Sequence, residues 1–402
     1  MALARRGLLA AAASLAAIST ARAQEAAPVR IGVLTDMSGP FSANTGAASV
    51  LATRLAVEDF GGSVLGRPVE VISADHQNRP DLGAGIARQW FDREQVDMVA
   101  DLVNSSVALA VMDVVQQRGK VALVAGSGST AITNEGCTDT AVQLAYNSQA
   151  TASAAAKPLI AAGKARWFFV TADYAFGQTT ERDATAVIKA AGGTVLGSVR
   201  HPPNSTDFSS YLLQAQASGA DVLALASAGT DSVNAAKQAA EFGLTGQMAL
   251  VSLGLVITDV NAIGLDVAQG MYLSEGFYWD RDPATRAFAA RFLKPLGKMP
   301  NMVQAGLYSG VTHWLKAVAA AGGTGIRGVM AAMRGKLVDD ALTHGGTIRP
   351  DGLMVHDMLL LQAKVPSESK APWDLLKVVQ VVPGADAFPP LSTSRCARLA
   401  AK

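Results

Sequence analysis

The sequence predicts an α/β chain of two similar lobes, each built on a parallel sheet. Three observations lead there. Short apolar strands alternate with helical patterns, the alternation restarts midway, and the chain is longer than one hydrophobic core usually organises.

The N-terminus comes first. Arg5 and Arg6 precede an apolar run from Leu8 to Ile18, followed by Ala21-Arg22-Ala23. A basic start, a short apolar run and an A-x-A site define a secretory signal peptide over residues 1–23, cleaved after Ala23. An ordinary N-terminal helix is the alternative. The pattern flanking Arg5-Arg6 is incomplete for twin-arginine export, so Sec export is expected. The chain is therefore expected in the periplasm. Loss of Arg5, Arg6 and Arg22 from the 34 basic residues leaves 31 against 33 acidic, a net charge of −2. No basic stripe remains, so no nucleic-acid partner is expected.

The elements then follow in order. Val29–Leu34, Val69–Ala74, Val96–Val103 and Val121–Ala125 read as strands. Ala47–Phe60, Asp81–Phe91 and Val107–Arg118 read as helices between them, from apolar residues at helical spacing. The second series runs through helix Ala150–Ala162, strand Arg166–Thr171, helix Thr179–Ala191 and strand Thr194–Val199. It continues through helix Phe208–Ser218, strand Asp221–Ala226, helix Asp231–Phe242 and strand Met248–Ser252. Gly192-Gly193 and Gly243 stand where helix C-caps belong. Helices Pro283–Leu293, Met302–Ala321 and Ile326–Met333 come next. Strands Asp357–Val365 and Leu375–Val382 return late, which implies that the chain crosses between lobes more than once. Each half is thus Rossmann-like. The expected division gives 28–144 and 279–355 to the first lobe, and 145–278 and 356–382 to the second. Residues 383–402 form a tail.

Two cysteines, Cys137 and Cys396, favour one disulfide in an exported chain; two free thiols are the alternative. That bond would staple the tail to the first lobe. The pair is too sparse for a metal site.

Catalytic signatures are missing. There is no G-x-x-x-x-G-K-[ST], H-E-x-x-H, C-x-x-C or G-x-S-x-G, and the five histidines are scattered. Gly126–Ala131 fits G-x-G-x-x-A. It follows the fourth strand rather than the first, and no acid clearly ends the next strand to hold a ribose. No cofactor and no enzymatic activity are expected. The loops beyond the strand ends, Thr35–Gly46, Asn104–Ser106 and Ser127–Thr130, are rich in Gly, Ser, Thr and Asn. Such loops present N–H groups, hydroxyls and helix N-termini that suit a carboxylate. Ser106 and Thr130 could equally cap helices.

At these loops the chain resembles the type I periplasmic binding proteins of ABC importers, in the leucine/isoleucine/valine-binding group. The matching pieces are Ile31–Pro40, Gly61-Gly62 with Pro68–Glu70, and Asp173–Gly177. Gly276–Asp280, Met299-Pro300 and His356–Met358 resemble a subgroup associated with aromatic carboxylates. The resemblance implies two lobes closing on a multi-strand hinge around a ligand. It puts the carboxylate-holding serine on Ser105, beside Ser106, and the next loop's contacts on Ser127, Gly128 and Ser129. It puts lobe-two aromatics on Phe176 and Tyr174, and a further contact near Ala228-Gly229. One departure matters. Amino-acid binders place a glutamate in the following loop, where this chain reads Val251–Leu255 without an acid. An unpaired buried ammonium costs several kcal/mol. A carboxylate with an apolar body, set among Phe41, Tyr174, Phe176, Leu253 and Leu255, fits better, unless Asp231 or Glu275 swings in. Phe277–Trp279 reads as hinge core.

The reading is a monomeric binding component that delivers a small aromatic carboxylate to membrane ABC permease subunits. The alternatives are an amino-acid or amide binder, a ligand-sensing receptor subunit, or an exported enzyme.

Overall fold

The structure is a computed structural model that describes residues 27–340 and 343–400. The signal segment and its cleavage site lie outside the described residues. Among the described residues no helix is long and apolar enough to cross a membrane.

The first sheet contains β1 (Val29–Thr35), β2 (Ser63–Val64), β3 (Arg67–Asp75), β4 (Met98–Asp101), β5 (Val121–Val124) and β6 (Ala141–Gln143). Its spatial order is β2-β3-β1-β4-β5-β6, parallel except for the short β2. Helices α1 (Gly46–Asp59), α2 (Pro80–Arg93) and α3 (Ser105–Arg118) connect its strands. Gly32 of β1 lies flat beneath Trp90 of α2; a Cβ there would stand 2.4 Å from the indole.

The chain then leaves through Leu144–Asn147 for the second series. It runs α4 (Ser148–Ala161), β7 (Arg166–Ala172), α5 (Ala175–Ala190), β8 (Thr194–His201), α6 (Ser209–Ala217), β9 (Val222–Ala226), α7 (Gly229–Glu241) and β10 (Ala249–Ser252). Helices α8 (Ile257–Ile263) and α9 (Leu265–Ala268) lead to β11 (Tyr272–Glu275). After β11 the chain returns to the first sheet. There α10 (Pro283–Leu296), α11 (Met302–Ala321) and α12 (Ile326–Arg334) pack Phe292, Leu307, Trp314 and Met330 into one core with Ile31, Leu55 and Leu123.

The hairpin of β12 (Thr347–Ile348) and β13 (Met354–Val355) precedes a third crossing at His356-Asp357. Strands β14 (Met358–Ala363) and β15 (Leu376–Val382) complete the second sheet, ordered β15-β14-β11-β10-β9-β7-β8. Both late strands pair antiparallel, β14 with β11 after the long excursion through α10–α12 and β15 with β14 across a loop. The two-sheet α/β architecture agrees with the expected fold class. The sequence reading did not include β6 and β11, of three and four residues, nor the hairpin.

The tail from Pro383 holds more structure than its loop-like sequence suggests. It opens with α13 (Gly384–Ala387), where the Asp386 carbonyl accepts from Lys157 of α4 at 2.6 Å. Phe388 is buried, and Arg349 donates to the Pro389 carbonyl. Cys137 and Cys396 form the expected disulfide across 259 residues of sequence. A closed loop of that length removes roughly 5 kcal/mol of denatured-state entropy as an upper guide. The double variant Cys137→Ser/Cys396→Ser is expected to melt lower and to lose its tail to limited proteolysis first. An unchanged digestion pattern at 383–400 would mean that the packing of Phe388 suffices.

Candidate functional site

The C-terminal strand ends of both sheets face one cleft. Its first loop is pinned by one carboxylate. Asp36 is fully buried and accepts from the N–H groups of Ser38, Gly39 and Phe41 and from the Asn78 amide, at 3.3, 2.6, 2.9 and 2.8 Å. This holds Pro40 and Phe41 over the cleft.

Behind that loop, α3 begins at Ser105. Asn104 caps it, its Oδ1 accepting from Ser106 and Val107 at 3.0 and 3.2 Å. The cap does not take up the Ser105 N–H. The Ser105 hydroxyl is buried and has no partner among the described residues. Just before it, Asp101 and Leu102 hold left-handed backbone, with φ of +80° and +57°. Such strain persists where the surroundings fix a particular backbone course. Burial pushes the Asp101 carboxyl up to about 6, with Asp36 adding to the rise and the Thr35 and Ser49 hydroxyls opposing it.

The Gly126–Ser129 loop is positioned differently from the expectation. The Ser127 hydroxyl donates to the Leu102 carbonyl, and the Ser129 hydroxyl accepts from Ala131 at 3.2 Å. Gln143 donates to the carbonyls of Ser127 and Ser129 at 2.9 and 3.2 Å. The Ser127 proton is therefore engaged within the loop, whereas Ser129 acts there as an acceptor. Gly128 lies against aromatic rings: a Cβ would stand 2.3 Å from Tyr146 and 2.8 Å from Phe176.

The second sheet supplies the opposite wall. Tyr174 and Phe176 open α5 and meet Phe41 and Tyr146 in a row. Ring centroids are 6.4 Å apart for Phe41–Tyr174, 6.2 Å for Tyr174–Phe176 and 6.5 Å for Phe176–Tyr146. The Tyr146 hydroxyl donates to the Gly126 carbonyl at 3.0 Å. Burial raises the phenols of Tyr146 and Tyr174, so both stay protonated. This row lines an inner cavity of about 30 Å³ with Val103, Gly126, Ala228 and Gly254. An outer chamber of about 480 Å³ lies at the mouth, bounded by Pro40, Phe41, Asn78, Ser106, Tyr174 and Asp231 among others.

Gly229 brings the lobes together. Its φ is +59°, and a Cβ would meet the Pro40 carbonyl at 2.4 Å and the Phe41 ring at 2.9 Å. Only glycine fits both demands. Leu253 is not brought to the cleft. It packs with Trp167 and Phe169 in the core of the second sheet, while Gly254 presents its backbone to the cavity. Leu255 is also core. Phe277 and Tyr278 are buried in the cores, as expected of hinge residues. Sequence reasoning passed over Tyr146, hidden in a linker, and Asn78, in a short loop without a motif.

Beside the inner cavity a buried polar network crosses the cleft. Asn44 accepts from the Thr258 hydroxyl at 2.8 Å and donates to the Asp259 carboxylate at 2.9 Å. The Asn44 carbonyl accepts from Asn301 and Gln304, each at 2.9 Å. Glu275 accepts from Ile257 and Met302 at 2.9 and 3.1 Å, bridging the starts of α8 and α11. Burial pushes Asp259 up to about 7 and Glu275 up to about 8.

This geometry is that of a two-lobed receptor for a small solute. The model of the periplasmic binding protein family matches residues 28–371, and the chain belongs to that family. It is similar to a periplasmic binding protein from Burkholderia mallei, 47% identical with a TM-score of 0.89, covering 92% of this chain and 98% of that one. It is similar to a branched chain amino acid ABC transporter periplasmic ligand-binding protein from Burkholderia xenovorans LB400. That match is 42% identical with a TM-score of 0.84, covering 92% and 99%. A solute binding protein of an ABC transporter from Rhodopseudomonas palustris BisB5, in complex with 3,4-dihydroxybenzoic acid, shares the fold at 21% identity. Its TM-score is 0.79, and the match covers 89% of this chain and 98% of that one. The resemblance read from the sequence therefore holds at the level of family and fold.

Two predictions follow from the cleft. Gly229→Ala sets a methyl group into Pro40, so the lobes should stand further apart while each stays folded. Small-angle scattering would register a larger radius of gyration; an unchanged radius would show that the contact is dispensable. The second concerns pH. Asp259 and Glu275 hold protons in the fold that they release in the unfolded chain between about pH 4 and about pH 8. Stability from this source is complete below the unfolded values and is lost as pH rises through the folded ones. The melting temperature should fall between pH 5 and pH 8. Asp259→Asn, which keeps an oxygen for Val256 and Asn44, should flatten that slope.

Proposed function

We propose that this chain is the periplasmic substrate-binding component of an ABC transporter, capturing a small carboxylate with an aromatic body and passing it to membrane permease subunits. It acts as a monomer, without turnover and without a cofactor. Export through the signal peptide at residues 1–23 places it in the periplasm.

The observation that carries this reading is the buried, unpartnered hydroxyl of Ser105 at the start of a 14-residue helix. In the chain Ser105 follows Val103, which lines the inner cavity, and precedes Ser106, which lines the outer chamber, while Ser105 itself is in neither lining. A carboxylate placed there gains a hydroxyl, an uncapped N–H and the positive end of a helix. The row Phe41, Tyr174, Phe176 and Tyr146 favours a flat apolar body at that end. The same fold holds an aromatic acid in the R. palustris protein. Gly128 and Gly229 let backbone approach where side chains would fill the space. The inner cavity of about 30 Å³ has room for about one water, so the lobes must part before such a ring enters.

A thermal-shift panel of benzoate- and cinnamate-type acids with leucine and valine tests the ligand class. At about 100 times its dissociation constant, a ligand adds about 2.7 kcal/mol of stability. The aromatic acids should raise the midpoint. A response to leucine or valine alone would overturn the reading. Ser105→Ala should cost about 1.5–3 kcal/mol of binding and little stability, because it removes a hydroxyl contact to a charge. Equal affinities by calorimetry would relegate Ser105 to the loop's structure.

A further inference from the structure

The outer chamber holds two acceptors with nothing to accept. Asp231 stands in the first turn of α7, 6% exposed. Its Oδ2 accepts from the Asn204 N–H at 3.1 Å, the Ser205 N–H and His201 also act on the carboxyl, and its Oδ1 is buried and makes no hydrogen bond within 3.5 Å. Asn78 comes from the other sheet. Its Nδ2 donates to Asp36 at 2.8 Å, which fixes which way the amide is turned. The Asn78 Oδ1 is then also buried and unpartnered. Both residues bound the same chamber as Phe41, Tyr174 and Ser106.

Two buried acceptors at the edge of one chamber set the chemistry of what fits. A carboxylate would be repelled by Asp231 and would leave Asn78 unsatisfied. A hydrogen-bond donor satisfies both. The donors of the cleft lie instead at Ser105, at the start of α3. The site therefore has polarity along its length: donors at α3, aromatic rings beside them and acceptors at the mouth.

We infer that Asp231 and Asn78 form a second subsite that takes a hydrogen-bond-donating substituent of the bound carboxylate, a ring hydroxyl or an ammonium group. This rests on the carboxylate reading given above and deepens it. The acid missing from Val251–Leu255 is supplied from α7 instead, so the departure in that loop does not by itself exclude an amino group. The two acceptors come from opposite sheets, so the subsite is complete only when the lobes are together. A ligand with the donor would hold the cleft shut; one without it would leave both oxygens bare.

The experiment is calorimetry with benzoate, 4-hydroxybenzoate, 4-(aminomethyl)benzoate and leucine, on the mature protein and on Asp231→Asn. The asparagine keeps an oxygen for the Asn204 N–H, so the 202–205 loop stays held. A donor-bearing ligand should bind roughly 10- to 100-fold more tightly than benzoate. Asp231→Asn should erase most of that preference. Preference for the hydroxyl or for the amine identifies the donor. Leucine binding that is lost in the variant would support the Asp231 subsite and overturn the aromatic body. Equal binding of benzoate and its donor-bearing relatives would overturn the subsite and leave carboxylate capture standing. So would an equal loss for all ligands in the variant. Binding of no carboxylate would remove both. Should Asp231→Asn melt far below the parent, the ligand series on the unaltered protein decides alone, since equal binding of benzoate and its donor-bearing relatives there overturns the subsite.

Discussion

Everything about the cleft depends on three chain crossings lying side by side. The imidazole of His356, in the third, reaches the carbonyls of Leu144 and Ala145 in the first, at 3.2 and 3.0 Å. Burial lowers the pKa of that ring, while the carbonyls of Leu144 and Ala145 at Nε2 and of Asp357 at Nδ1 oppose the drop. The second crossing passes beneath it at Gly276, where a Cβ would stand 2.6 Å from the ring. The three crossings are thereby tied to one another by buried contacts. Such a joint turns ligand contacts on either wall into one closing motion.

The tail works against free rotation on one side. It starts on α4, is buried at Phe388, and ends at the Cys137 disulfide, where Arg395 donates to the Asn134 side chain at 2.8 Å. It thus touches both walls. Close by, Asp183 of α5 accepts from Thr130 and Ser148, each at 2.6 Å. These contacts lie away from the aromatic row, so opening is resisted at one edge of the cleft. The inner cavity can widen there only as far as Asp183 permits.

Most of the strands and helices were legible because the helices bury apolar residues at their own period and even the short inner strands are unbroken apolar runs between helices. The crossings were not. Strands β6 and β11 have three and four residues, and what makes them strands is pairing with neighbours far away in sequence. The site was half legible for a similar reason. Loop composition marks where a ligand can sit, but not which way each side chain points. After β10 a single residue decides it: Leu253 turns into the core and Gly254 lines the cavity. Ser127 and Ser129 look like ligand hydroxyls in sequence, yet Leu102 and Ala131 have already engaged them. Ser105 differs because Asn104 caps the helix in its place, which leaves its hydroxyl free. Tyr146 carries no pattern at all. Its role comes from a crossing that folds it back on Gly126.

The buried acids set the terms on which this cleft closes. Asp259 meets Asn44 only when the walls are together, and it sits where ionisation is costly. Closure without a ligand therefore draws on a hydrogen bond to a group that prefers to be neutral, a modest gain. That is useful in a receptor that must release its cargo. Were the clasp a fully ionised pair, the empty form would stay shut, and an empty closed form competes with the loaded one. A neutral clasp leaves the balance to the ligand. The ligand shifts that balance only through contacts that exist when both walls meet. In this cleft the contact that joins the walls at the ring end is the aromatic row shared by Phe41 and Tyr174.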